Sequence, residues 1–381
     1  MPIFLIIIIA VLAGTTYYLA HRMHQGLACF FPELKFWPVL ILVSILTLVL
    51  VLGFGRSMLP FSGELRHLLG VINSYSMGIF LYLFLYTVLA DLLIVVSRIM
   101  RLPFIQQPLS KGIMTLCVLL LTCVTCIFGF IQGTKLHHIS YEIQLENKKD
   151  ISDMNIVLIS DLHLGSIGSE EKLEKIVNEI NALHPDLICI AGDFFDTDFG
   201  SIRNPEKAIE TLKKLDATYG VYTSLGNHDA GQTYSHMVSF LAEADITLLK
   251  EDYTVIDNRL VLIGRLDGSP IGGFGEEKRQ ELSSFFTRED ASLPVIVLDH
   301  NPAHIDDYTT EADLILCGHT HKGQVFPGSL ITNALYTVDY GYYQKDANSP
   351  HVIVTSGVGY WGMPMRVGTD CEIASIQISN K

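Results

Sequence analysis

The first 134 residues hold only three acids, Glu33, Glu64 and Asp91, against seven bases, a net charge of about +4. A stretch so poor in charge cannot coat itself for water. The remaining chain lacks the opposite thing, a basic stripe. It carries 37 acids and 19 bases, about −18, which argues against binding the phosphate backbone of a nucleic acid. The seven cysteines are an odd number, and Cys117, Cys123 and Cys126 fall inside one apolar run. They provide no disulfide framework and no zinc ribbon, and they do not identify a redox compartment. No repeats and no low-complexity run are present.

What the first third does contain is four apolar segments, about 3–20, 36–55, 71–97 and 113–133. Each is long enough to cross a hydrocarbon core of roughly 30 Å as a helix. The first has no basic region ahead of it and three more segments after it, so it reads as a retained helix and not a signal peptide. Loops 1 and 3 carry Arg22 and Lys35, and Arg98, Arg101 and Lys111; loop 2 carries Arg56 and Arg66 with Glu64. By the positive-inside rule this puts both ends of the chain outside, although Lys135, Lys148 and Lys149 count the other way. Asp91 lies inside segment 3 and is expected to pair structurally with Arg98 or reach the helix end.

From about residue 150 the pattern changes to short Val- and Ile-rich runs: MNIVLIS, PDLICIA, GVYTSL, RLVLIG, PVIVLD, ADLILC and HVIVTS. These read as buried strands. Between them, 169–184, a segment opened by Asn204-Pro205, 235–244 and 275–286 read as helices. The chain therefore divides into a four-helix transmembrane region at 1–134, a linker at 135–149 and an α/β domain at 150–381.

Five of the apolar runs end in polar groups: Asp161 and His163, Asp193, Asn227-His228-Asp229, His300, and His319 and His321. In layered α/β folds, ligands bind at the carboxyl ends of strands. Asp, Asn and His together suit Mn, Fe or Zn. The i, i+2 spacing of Asp161/His163 and His319/His321 is expected to keep both side chains on one side of an extended backbone. Singly, each is an ordinary turn signal; the ordered set is not.

That order, D-x-H, G-D, G-N-H-D, H and G-H-x-H, resembles the calcineurin-like metallophosphoesterases over roughly residues 150–380. DHNPAH, GHTHKGQVFPG and TSGVGYWGMPMRVGTDCEI are similar to the membrane-tethered or secreted bacterial members. Lys322 departs from the pattern, standing where many relatives have a second glycine. The resemblance implies two central β-sheets in a sandwich flanked by helices. It implies two divalent ions, Mn favoured over Fe or Zn: one held by Asp161, His163 and His321, the other by Asn227, His300 and His319, with Asp193 bridging. A hydroxide between the ions would attack phosphorus, and His228 would protonate the leaving group with Asp229 setting its tautomer. Asp196 would stand just behind the ligands, and Arg366 would contact phosphate or form a surface salt bridge.

The expected protein is a multi-pass membrane phosphoesterase with its catalytic domain outside the cell, acting on a phosphate ester or pyrophosphate, with a phospholipid or lipid-linked nucleotide as substrate. The competing readings are a binding or sensor module on the same fold, whose signature would be a degenerate site, and a transporter with an attached regulator.

Overall fold

The computed structural model describes residues 2–55, 63–102, 107–145, 154–167, 170–281, 293–308 and 311–380. The chain divides into two compact units, Met1–Phe130 and Ile131–Lys381.

The first unit consists of helices α1 (Pro2–Leu27), α2 (Phe36–Phe54), α3 (Gly63–Ile99) and most of α4 (Pro108–Gly133). All four are long and apolar enough to cross a membrane. Leu42, Leu120 and Ile99 are among many large apolar side chains left exposed on them, as lipid contact requires. α3 begins eight residues before the expected 71, because Glu64 and Arg66 dilute the apolar run without breaking the helix. α4 begins five residues early, at Pro108, whose ring suits the first helical turn. Asp91 does not pair with Arg98, which lies two turns along the same helix, about 10 Å away at 1.5 Å per residue. Its carboxylate accepts from the Arg22 guanidinium and from the Tyr18 hydroxyl (2.8 Å), both on α1. Cys123 and Cys126 form a C-x-x-C pair on α4, and both are free thiols.

The second unit contains strands β1 (Leu136–Leu145), β2 (Met154–Ile159), β3 (Leu187–Ala191), β4 (Val221–Ser224), β5 (Thr247–Leu248), β6 (Asp252–Ile256), β7 (Leu260–Gly264), β8 (Val295–Leu298), β9 (Leu314–Cys317), β10 (Gly341–Tyr343), β11 (His351–Val354) and β12 (Cys371–Asn380). Its helices are α5 (Glu170–Asn181), α6 (Pro205–Leu212), α7 (Tyr234–Glu243) and α8 (Gly328–Leu335). One sheet has the order β1-β12-β2-β3-β4-β5 and the other β10-β11-β9-β8-β7-β6. In each, four adjacent strands run parallel: β2 to β5, and β11, β9, β8 and β7.

Strand alternation builds the layers. Ile156 and Leu158 of β2 face a core shared with Leu262, Ile296 and Leu316 of the opposite sheet. Val157 and Ile159 face the other way, against Leu173, Ile176 and Ile180 of α5 and Phe240 of α7. Parallel strands covered on both faces read as continuous apolar runs, which is why these were legible. α6 starts as expected: the Asn204 side chain accepts from Lys207 N at 3.0 Å, and Pro205 follows.

Two expectations are corrected. The segment 135–149 is not only a linker: β1 pairs in parallel with β12 along its whole length. β1 is an edge strand whose first seven residues are exposed or half-buried, so it lacks an apolar run. The expected helix at 275–286 is absent among the described residues, since 275–281 form turns and irregular chain and 282–286 lie outside the described residues.

Candidate metal centre

The five polar strand ends meet at one edge. β2, β3 and β4 of one sheet deliver Asp161 and His163, Asp193, and Asn227 to Asp229; β8 and β9 of the other deliver His300, and His319 and His321. The loops are laced together through the backbone. Asp161 N donates to Gly192 O (3.0 Å), His163 N to Asp193 O (3.1 Å) and Gly318 N to His300 O (2.9 Å).

The expected extended backbone is not what aims the side chains. Asp161, His163, Asp193, His319 and His321 all have left-handed φ, between 46° and 71°. None is glycine, so each conformation is strained, and such strain collects at functional sites. The left-handed turns let His319 and His321, spaced i, i+2, enter different clusters, while Asp161 and His163 enter the same one.

The first cluster holds Asp161, His163 and His321. His163 Nε2 lies 3.1 Å from His321 Nε2, and Asp161 Oδ1 lies 3.3 Å from His321 Nε2 and 3.8 Å from His163 Nε2. The second holds Asp193, His300 and His319, with Asn227 alongside: His319 Nδ1 is 2.9 Å from Asn227 Oδ1 and 3.3 Å from His300 Nε2. Asp193 Oδ2 stands between the two, 3.1 Å from His300 Nε2 and 3.7 Å from His163 Nε2.

The donor chemistry fits cations. Asp161 Oδ1 is buried and accepts no hydrogen bond, a costly arrangement unless a cation sits there. His300 Nδ1 faces Ala191 O at 2.7 Å, so it carries a proton and leaves Nε2 for the cluster. Burial holds the His163 imidazole down at about 3 and that of His319 at about 4, and pushes His321 well below its ordinary value. Neutral imidazole is the form that binds metal. Burial also raises the Asp161 carboxyl to about 6. Burial works to raise Asp193 and to lower His300, but their mutual attraction wins, leaving Asp193 well below and His300 well above the usual range.

His228 borders both clusters. Its ring is 5.1 Å from that of His163, and its Nδ1 lies 2.5 Å from Thr197 Oγ1. Asp229 does not touch it. Both Asp229 oxygens accept from the backbone, at Phe195 N and Gly226 N (2.8 Å each), and burial raises its carboxyl to about 7. Thr197, not Asp229, is the hydrogen-bond partner of His228 Nδ1. Its left-handed φ of 59° is unusual for a β-branched residue, and nothing in GDFFDT marked it. Asp196 offers a carboxylate oxygen within 4.8 Å of ring nitrogens of His163 and His228.

Arg366 makes no surface salt bridge, and it does not line the cavity that opens over His163, Asp193, His228 and His319. It is fully buried and donates to His321 O (3.0 Å), Ser356 O (2.8 Å) and Gly359 O (2.6 Å), fixing the backbone that carries His321. Lys322 Nζ sits 3.8 Å above the Tyr340 ring, and Lys322 is not among the residues lining the cavity.

Close approach at Gly226 is required: a Cβ there would collide with the Asp193 carboxylate and backbone nitrogen. Gly226→Ala should therefore shift Asp193, costing about 1–3 kcal/mol by overpacking and most of the bound metal. Thermal melting and elemental analysis read the two effects. Unchanged metal content would contradict this account of Asp193.

The family model for calcineurin-like phosphoesterases matches residues 154–323, which contain all of these candidate ligands. An uncharacterized metallophosphoesterase of Helicobacter pylori is 30% identical over 259 residues, covering 66% of this chain and 67% of the relative. The chain belongs to the calcineurin-like metallophosphoesterases. A transmembrane protein with metallophosphoesterase domain from Danio rerio is 26% identical over 361 residues, covering 89% of this chain and 80% of that one. An uncharacterized metallophosphoesterase of Bacillus subtilis is 31% identical over 230 residues, covering 57% and 76%. This calcineurin-like chain is thus a metal-dependent phosphoesterase and a membrane protein.

Proposed function

We propose that the chain is a two-metal phosphoesterase hydrolysing a phosphate ester or pyrophosphate of a membrane amphiphile, on the outer side of the membrane. The observation that carries the two-metal reading is Asp193 Oδ2, within reach of His163 in one cluster and His300 in the other. Asp161, His163 and His321 then hold one ion, Asn227, His300 and His319 the second, and Asp193 serves both. Manganese is the ion we assign, on the family resemblance and the carboxylate and amide oxygens; the imidazoles equally suit Fe or Zn. Divalent ions would supply an activated water and offset charge on the phosphoryl oxygens.

The chain's own groups do the rest. Gly192, Gly226 and Gly318 allow the loops to close: a Cβ at Gly192 would lie 2.6 Å from Gly226 N and 2.9 Å from His300 Cβ. His228, with Nδ1 against the Thr197 hydroxyl, would present Nε2 to the leaving oxygen. The sidedness rests on the basic residues at and between the facing ends of α1 and α2 and of α3 and α4, namely Arg22, Lys35, Arg98, Arg101 and Lys111.

His228→Ala tests the proton assignment. Metal content should be unchanged. Turnover of alkyl esters should fall roughly 10²–10⁴-fold, and that of p-nitrophenyl esters much less, because a good leaving group needs no proton. Equal losses on both would remove His228 from that role.

A further inference from the structure

α8 buries none of its eight residues. Leu330 (62% exposed), Ile331 (59%) and Leu335 (74%) share one side of it, with Phe326 (53%) just before the helix. A contiguous exposed apolar face of this kind needs a partner. It is continuous with the candidate metal centre. A cavity of about 410 Å³, within the range of small-molecule sites, is lined by the metal-facing groups at one end and by Val325, Ile331, Trp361 and Met363 at the other. Trp361 is held rigidly: its N donates to Gln324 Oε1 (2.8 Å), and Gln324 Nε2 donates back to Trp361 O (2.9 Å) and Met363 O (3.0 Å). Among the described lining residues there is no Lys or Arg to hold a sugar phosphate or nucleotide.

We infer that this strip, from Met363 and Trp361 out along α8, is the seat of a long alkyl chain whose phosphate head lies at the metal centre. The inference rests on the phosphoesterase reading above and narrows its substrate to a lipid-type phosphate carrying at least one acyl or alkyl tail. The choice of lipid over a protein partner follows from the chain itself. Only Thr134 and Lys135 separate the end of α4, a helix apolar enough to cross a membrane, from β1 of the catalytic unit. The unit is therefore tethered at a lipid supply. Apolar lining continuous with metal-facing donors also matches the two halves of such a molecule, tail and phosphate.

The chain has two tryptophans, Trp37 and Trp361, so Trp37→Phe leaves one reporter in the cavity. The full chain with this substitution, loaded with Mn in phosphatidylcholine nanodiscs, is titrated with 4-bromobutylphosphonate and 8-bromooctylphosphonate, and p-nitrophenyl phosphate turnover is followed on the same preparation. The longer probe should quench Trp361 emission with a half-point at least tenfold lower, and chelating the metal should abolish that preference. Adding Leu330→Ser and Leu335→Ser, both at exposed positions, should bring the two half-points within threefold. Turnover without chain-length preference overturns this inference alone. Length-dependent quenching without turnover upholds the tail site and overturns the phosphoesterase reading. Neither signal overturns both. A dimer that the α8 substitutions dissociate, with no quenching, assigns the face to a second copy and overturns the tail site.

Discussion

Asp193→Asn is expected to lower turnover by at least about 10³-fold and to strip metal from both halves of the site. The substitution keeps size and shape but removes the one negative oxygen that reaches both His163 and His300. A charge shared by two cations is worth more than a ligand to either alone, and a loss of 10³ corresponds to roughly 4 kcal/mol of transition-state stabilisation. Changes at ligands of a single cluster, such as His321→Ala and Asn227→Ala, should each remove one ion and leave the other weakened but measurable. The comparison is made by elemental analysis after reloading with Mn, beside hydrolysis of p-nitrophenyl phosphate and its bis ester. Retention of two ions in Asp193→Asn would detach Asp193 from the bridging role.

Arg366→Met is expected to be the most destabilising single change in the catalytic unit outside its metal ligands. Methionine fills similar space but donates nothing. The carbonyls of His321, Ser356 and Gly359 would each lose a charged donor in a fully buried setting. His321 O keeps the Gln324 N–H (2.9 Å), so Ser356 O and Gly359 O carry most of the loss, and at about 1–3 kcal/mol per unsatisfied acceptor the cost is about 2–6 kcal/mol. In units of 150–250 residues that is about 2–4 °C of Tm per kcal/mol. Because the same guanidinium fixes the His321 backbone, metal loss should accompany the shift. A melt within 2 °C of the parent would contradict the role drawn here for Arg366.

The strands that form the site were legible because parallel strands covered on both faces leave unbroken apolar runs, and because each run stopped at an acid, amide or imidazole. The two sheets and the flanking helices agree with what the family resemblance implied. The means of convergence was not legible. Alternation along an extended chain is a property of strands, whereas Asp161, His163, His319 and His321 stand beyond the strand ends in left-handed turns. β12 was missed although Ile373, Ile376 and Ile378 are buried, since its polar positions, Glu372 among them, interrupt the apolar run. The buried Glu372 carboxylate accepts from Thr355 Oγ1 at 2.8 Å, a tertiary contact that no local pattern announces. Arg366 was misjudged and Thr197 passed over because a decisive partner of each lies in another segment: His321 O is 45 residues from Arg366, and His228 is 31 residues from Thr197. α8 has no buried face, so periodicity had nothing to detect.

The central claim is that two divalent ions occupy this strand-end cluster. Its most direct test is the metal content of the full chain, stripped and reloaded with Mn, read with the low-temperature electron paramagnetic resonance spectrum. The account predicts two Mn per chain with an exchange-coupled signal, lost in Asp193→Asn. One ion, or two ions with uncoupled spectra, would contradict a shared Asp193, and no bound metal would remove the centre itself.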